Sequence, residues 1–81
     1  MKIYTYNTDL GAFEIRQLSG KVFELLLEDE KLGEYESPQS AAADVATFNT
    51  DYVEWDELEN KIERYPKTLE EWTKVEEERP S

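Results

Sequence analysis

The 81-residue sequence contains no cysteine and no histidine. The first absence removes disulfide frameworks and thiolate metal sites, and the second removes the commonest general base and imidazole ligand. Only three glycines are present, and no glycine-rich loop stands beside an acidic residue. Basic residues are scarce too: 9 Lys and Arg stand against 20 Asp and Glu, for a net charge of -11. That magnitude lies outside the range of roughly 2 to 8 usual for a small soluble domain. It disfavours contact with nucleic acid or an anionic membrane, and the self-repulsion is tolerated either for solubility or because a strongly positive partner relieves it. No apolar run approaches the roughly 18 residues of a membrane span, and the first residues lack the basic and apolar regions of a secretory signal. The expectation is a soluble cytoplasmic protein with no direct nucleic-acid or membrane contact.

A chain this short forms one domain and buries only about 60 to 65% of its unfolded surface. Ten aromatic residues thicken the small core, since each ring removes about 150 to 250 Å² from water. The most apolar stretch is Val22–Leu27, VFELLL, bounded by Ser19-Gly20 and by Glu28-Asp29-Glu30. Its length and its β-branched and aromatic start predict a buried central strand. Residues 1–6 alternate as a short first strand, and residues 12–18 place Phe13 and Ile15 on one face against Glu14 and Arg16 on the other. Ser19-Gly20 predicts a tight hairpin. The opposite parity of Leu32 and Tyr35 predicts a bulge at Gly33 within the strand over residues 32–36.

Ser37-Pro38 predicts a helix start, with serine as N-cap and proline at the first helical position. Its buried stripe is Ala41, Val45 and Phe48, with Ala42 beside them. A second helix is expected to begin at a cap formed by Asp51 and to carry Trp55, Leu58, Ile62 and Tyr65 inward until Pro66 ends it. Thr68-Leu69-Glu70-Glu71 is a capping-box pattern for a third helix docking through Leu69, Trp72 and Val75. Residues 76–81 lack apolar side chains and are expected to fray. The fold class is therefore a single α+β domain over residues 1–81. It has an antiparallel sheet of three strands, or four counting the N-terminal one, followed by three short helices. On the second face of the central strand, Val22 and Leu26 call for a cover from the segments bearing Trp55 and Trp72, or form an apolar interface.

Abundant carboxylates raise general acid/base chemistry, but a catalytic pair needs a desolvated pocket to separate its pKa values. A thin core with no convergent nucleophile argues against an enzyme. The acid-rich stretches also lack the alternate acids, sixth-position glycine and twelfth-position glutamate of a calcium loop, so neither a metal site nor a cofactor is expected.

Two dense acidic clusters remain. Glu28, Asp29, Glu30, Glu34 and Glu36 accompany Lys31 alone, and Asp51, Glu54, Asp56, Glu57, Glu59 and Glu63 accompany Lys61 alone. They can serve as solvated faces, with Glu57 and Lys61 at a pairing distance on a helix. They can also form a rigid negative array for a partner, since acids three or four apart on a helix lie about 5 to 6 Å from one another. Such an array imitates the phosphates of DNA and would give fast, salt-sensitive binding to a basic channel. Mimicry requires the acids on one contiguous face; solubility does not.

The segments FEIR, VFELLLEDEKLGEYESPQSAAADVA, WDELEN and TLEEW, spanning residues 12–72, resemble small bacterial and mobile-element proteins. In these an Asp-x-x-Leu-Gly-x-Tyr-x-Ser-Pro hairpin leads into an alanine-rich helix and two tryptophan-bearing segments. The chain is similar to small acidic anti-CRISPR proteins that inhibit type I effector complexes. The resemblance implies an inhibitor that docks on a Cascade-type complex, on its large DNA-recruiting subunit, and blocks target DNA; a monomer in the cytoplasm of a bacterial host is the accompanying expectation. It supplies no binding residues, so the site rests on the eleven acids above. Two alternatives stay open: an immunity protein or antitoxin against a basic nuclease, and an interaction module using Tyr4, Tyr6 or Tyr52.

Overall fold

The computed structural model describes residues 2–76. Five strands form one antiparallel sheet: β1 (Lys2–Thr8), β2 (Gly11–Ser19), β3 (Val22–Leu27), β4 (Glu30–Tyr35) and β5 (Thr73–Glu76). Their spatial order is β4-β3-β2-β1-β5, so the first four strands form a meander and the C-terminal strand returns to pair with the first. β3 occupies the predicted residues and is paired on both sides. The β3–β4 ladder shifts register after Leu25, which lies opposite Gly33 while Leu26 lies opposite Lys31. The extra residue, Leu32, packs against the core, so a bulge is present but falls at Leu32, one residue before the expected Gly33. The β2–β3 connection is Gly20-Lys21 rather than Ser19-Gly20, because a second shift between Gln17 and Ser19 extends β2 past the predicted end.

The principal helix, α1 (Pro38–Ala46), starts as its sequence requires: Ser37 Oγ accepts from Ser40 N at 3.2 Å. Ala41, Ala42 and Val45 are fully buried against β2, β3 and β4. Phe48 leaves the helix with φ +56° and stacks on Trp55, the ring centroids 5.1 Å apart.

The C-terminal third departs from the three-helix expectation. A single helical turn, α2 (Val53–Asp56), replaces the second helix; the chain then passes through turns, with Asn60 at φ +67°. Trp55, Leu58, Ile62 and Tyr65 still join the core, so the apolar spacing identified what is buried without identifying the backbone that buries it. Asp51 is not the cap of α2, which starts at Tyr52 with no side-chain cap. The third helix is one 3-10 turn, Leu69–Glu71, followed by β5. The glutamate arm of its capping box forms, as Glu71 accepts from the N–H groups of Lys67 and Thr68. Thr73 and Val75 are β-branched and pair with Thr5 and Ile3, and that ladder outweighs the local helix signal. Val75 is consequently 40% exposed instead of docked. Glu76 ends a strand, and the remainder of the expected frayed tail lies outside the described residues.

One layer of helix and loop covers one face of the sheet. The core joins Tyr4, Phe13, Ile15, Phe23, Leu25 and Leu27 of the sheet to Val45, Trp55 and Trp72. Trp55 donates from Nε1 to the Val45 carbonyl at 3.1 Å and meets Phe13 edge-on at 5.0 Å. Trp72 lies 6.2 Å from the same Phe13 ring. Both tryptophans therefore serve the inner face, and among the described residues no further element covers the other face, which carries Val22 and Leu26. Leu26 is nevertheless only 7% exposed. Its cross-strand neighbours are Glu14 and Lys31, whose methylene stems can lie along apolar surface while their charges stay in water. That outer face carries the ion pairs Arg16–Glu14 at 2.6 Å and Lys31–Glu24 at 3.8 Å, and the pair Lys31–Glu34. Among the described residues no helix is long and apolar enough to cross a membrane.

Candidate functional site

The two acidic clusters meet through tyrosines. The β3–β4 turn consists of Glu28 and Asp29 alone, with φ of +49° and +69°, as the primed turns of two-residue hairpins require. This fixes Glu28 and Glu30 on either side of a tight tip. A backbone bond from Glu28 N to the Ala12 carbonyl, 3.2 Å long, ties the tip to β2. Gly11, at φ +130°, lies under Glu28: a Cβ there would come 2.1 Å from Glu28 Cγ. Only glycine leaves room for that side chain.

From the other cluster, α2 presents Glu54 beside Tyr52. The Tyr52 hydroxyl is pushed above the ordinary tyrosine range, first by the Glu54 charge, then by partial burial and by the charges of Glu30 and Glu28. Residues separated by some two dozen positions in sequence thus act on one phenol. A second tyrosine reads the neighbouring acids. Tyr35 donates its hydroxyl to Asp44 Oδ2 at 2.7 Å. Its pKa is raised, chiefly by burial, then by that bond and the Asp44 charge, and further by Asp51 and Asp56. Asp44, Asp51 and Asp56 thus all bear electrostatically on the Tyr35 hydroxyl, while Glu28, Glu30 and Glu54 bear on that of Tyr52. Asp44 carries no distinguishing signal in the sequence beyond its place on α1 beside the buried Val45.

The eleven expected acids do not act alike. Glu28, Glu30 and Glu54 all act on the Tyr52 phenol, with Asp29 in the same hairpin turn as Glu28. Asp51, exposed at φ +68°, adjoins Tyr52 in the chain. Asp56 is turned inward: it accepts from Thr50 N, Thr50 Oγ1 and Asp51 N at 3.0, 2.8 and 3.1 Å. It closes the 47–56 loop and is not a partner-facing group. Glu34 is paired with Lys31 on the outer face of the sheet. Glu36 is exposed beyond the far end of β4, and Glu57, Glu59 and Glu63 are exposed on the turn-rich stretch after α2. The helical ladder of acids at regular spacing is therefore absent; the convergence comes from a hairpin tip and a single helical turn. Among the described residues no three acidic groups form a metal-sized cluster.

The tyrosines proposed for an interaction module also separate. Tyr4 is 9% exposed and belongs to the core, whereas Tyr6 and Tyr52 are partly exposed. No family model, curated protein or solved structure matches the chain.

Proposed function

We propose that the acidic end built from Glu28, Asp29, Glu30, Asp51 and Glu54 occupies a basic DNA-binding surface of a protein complex and excludes duplex DNA from it. The observation that carries this reading is that charges from both acidic clusters, Glu54 from one and Glu30 and Glu28 of the tight hairpin from the other, act on the single phenol of Tyr52. A solubility coat has no need to concentrate like charges, because crowding them lowers stability. A type I CRISPR effector complex in the bacterial cytoplasm, through its large DNA-recruiting subunit, is the partner we propose on the sequence resemblance. The protein acts there as a monomeric inhibitor without enzymatic activity.

The test is capture of purified Cascade-type complexes by the immobilised protein, with arms adding target duplex and raising salt. Competition by DNA and loss of capture at high salt are the expected results. Capture indifferent to both would overturn the mechanism. Replacing Glu28, Glu30 and Glu54 together with Gln is expected to weaken capture, whereas Glu36→Gln is expected to leave it nearly unchanged.

A further inference from the structure

The other edge of the sheet carries different chemistry. A cleft of about 580 Å³ opens beside β5, walled by Tyr4, Leu69 and Trp72 and rimmed by Gln39, Glu70 and Lys74. Trp72 is only 5% exposed, and its indole Nε1–H is buried with no hydrogen-bond acceptor. Trp55, by contrast, donates its Nε1–H to the Val45 carbonyl. A buried donor left without an acceptor has lost its hydration with nothing in exchange. β5 is also the last strand of the sheet among the described residues, so the N–H and C=O groups on its outer side face no strand. The opposite edge is blunted by the Leu32 bulge, whereas β5 pairs with β1 in unbroken register from Thr73 to Glu76. Bulges are a usual protection of sheet edges.

We propose that the β5 edge and its cleft form a docking site for an extended segment of a partner protein. The segment adds a sixth strand beside β5 and places one aliphatic side chain against Tyr4, Leu69 and Trp72. A carbonyl of the incoming chain accepts from Trp72 Nε1. The chemistry fits a peptide: the edge asks for alternating backbone donors and acceptors, the cleft for an apolar side chain, and the indole for a carbonyl oxygen. The site is independent of the acidic end, because β5 and β4 are opposite edges of a five-stranded sheet, roughly 19 Å apart at ordinary strand spacing.

The indole N–H resonances of the two tryptophans provide the readout. A capped Thr-Val-Leu-Val-Thr pentapeptide, titrated to about 10 mM, is expected to move the Trp72 indole proton downfield in a saturable way. It should also slow amide exchange across Thr73–Glu76 while Trp55 stays fixed. The same peptide with a central glycine, or N-methylated at the central leucine, is expected to bind at least about fivefold more weakly. Leu69→Ala is expected to weaken binding by a similar factor with the fold intact, and the Gln variant of Glu28, Glu30 and Glu54 to bind the peptide normally. Tyr6 and Phe13 lie 5.9 and 6.2 Å from the Trp72 ring. A Trp72 proton that stays upfield throughout the titration would assign the indole N–H to one of those ring faces and overturn the proposal. Equal binding by the glycine peptide or by Leu69→Ala would overturn it as well.

Discussion

The carboxylate of Asp56 closes on Thr50, accepting from its backbone N–H at 3.0 Å and from its hydroxyl at 2.8 Å. Thr50 is 1% exposed, so neither donor can turn to water when the acid is removed. Asp56→Ala is expected to lower folding stability by about 1 to 3 kcal/mol, the cost of stranding buried donors. Urea denaturation followed by tryptophan fluorescence measures it. Once the loss of folded protein is corrected for, partner capture by this variant should match the parent, which separates Asp56 from Glu28, Glu30 and Glu54.

The bond from Tyr35 to Asp44 joins β4 to α1 and makes a pH prediction. Burial, aided by that bond, raises the Tyr35 pKa above the ordinary value of about 10. A group whose pKa is raised on folding holds its proton longer in the folded chain than in the unfolded one. Its contribution is fully present below pH about 10 and declines as pH rises from there through the folded value. Absorbance at 295 nm should show one of the tyrosines ionising late, with unfolding setting in as it does. Tyr35→Phe should remove the late step and cost about 1 kcal/mol at neutral pH, the net worth of one hydrogen bond.

Tyr52 reports on the acidic end. Glu54 is the leading cause of its raised pKa, ahead of Glu30 and Glu28. Glu54→Gln is therefore expected to bring the Tyr52 titration back toward the ordinary range. Glu30→Gln and Glu28→Gln should each do so by less. Tyr52→Phe identifies the step in the absorbance titration. Raised salt should reproduce part of the shift, since charges exposed to solvent are screened. A Tyr52 titration left unmoved by both Glu30→Gln and Glu28→Gln would separate the two acidic clusters and remove the basis of the contiguous surface.

The parts legible in the sequence are those where a local signal and the tertiary demand agree. Val22–Leu27 is apolar enough to require two strand neighbours, and Ser37-Pro38 has one good use, the start of α1. Leu32 and Tyr35 announced the bulge because two core contacts of opposite parity admit no regular strand. The C-terminal third misleads because its apolar residues recur at three and four. That spacing is satisfied equally by a helix and by a chain of turns laid over the core, as Trp55, Leu58, Ile62 and Tyr65 are. β5 is hidden by the capping-box pattern just before it: Glu71 does bond Thr68 N, but one turn later Thr73 and Val75 meet the open edge of β1. At the site, the sequence supplied the acids but not their sorting. Whether an aspartate faces solvent, as Asp51 does, or an internal loop, as Asp56 does, depends on backbone reversals at Phe48 and Asp51 that no periodicity encodes.

Gly11 and Glu28 form the pair on which the rigidity of the acidic tip depends. A methyl group at Gly11 would collide with Glu28 Cγ and would also hold alanine at φ +130°. Gly11→Ala is expected to cost about 1 to 3 kcal/mol from the backbone conformation alone, with a further loss from displacing Glu28. Glu28→Ala in the Gly11→Ala background should recover the collision but not the backbone part, so the two changes should be non-additive by about 0.5 to 3 kcal/mol. Denaturation of the four proteins of the cycle measures the coupling. The capture assay gives it a functional meaning. Gly11→Ala retains every charge of the parent, so a loss of capture by the folded variant would show that the partner reads the placement of Glu28 as well as the total charge. If Gly11→Ala captures as well as the parent, net charge alone is sufficient and the tip has no special role.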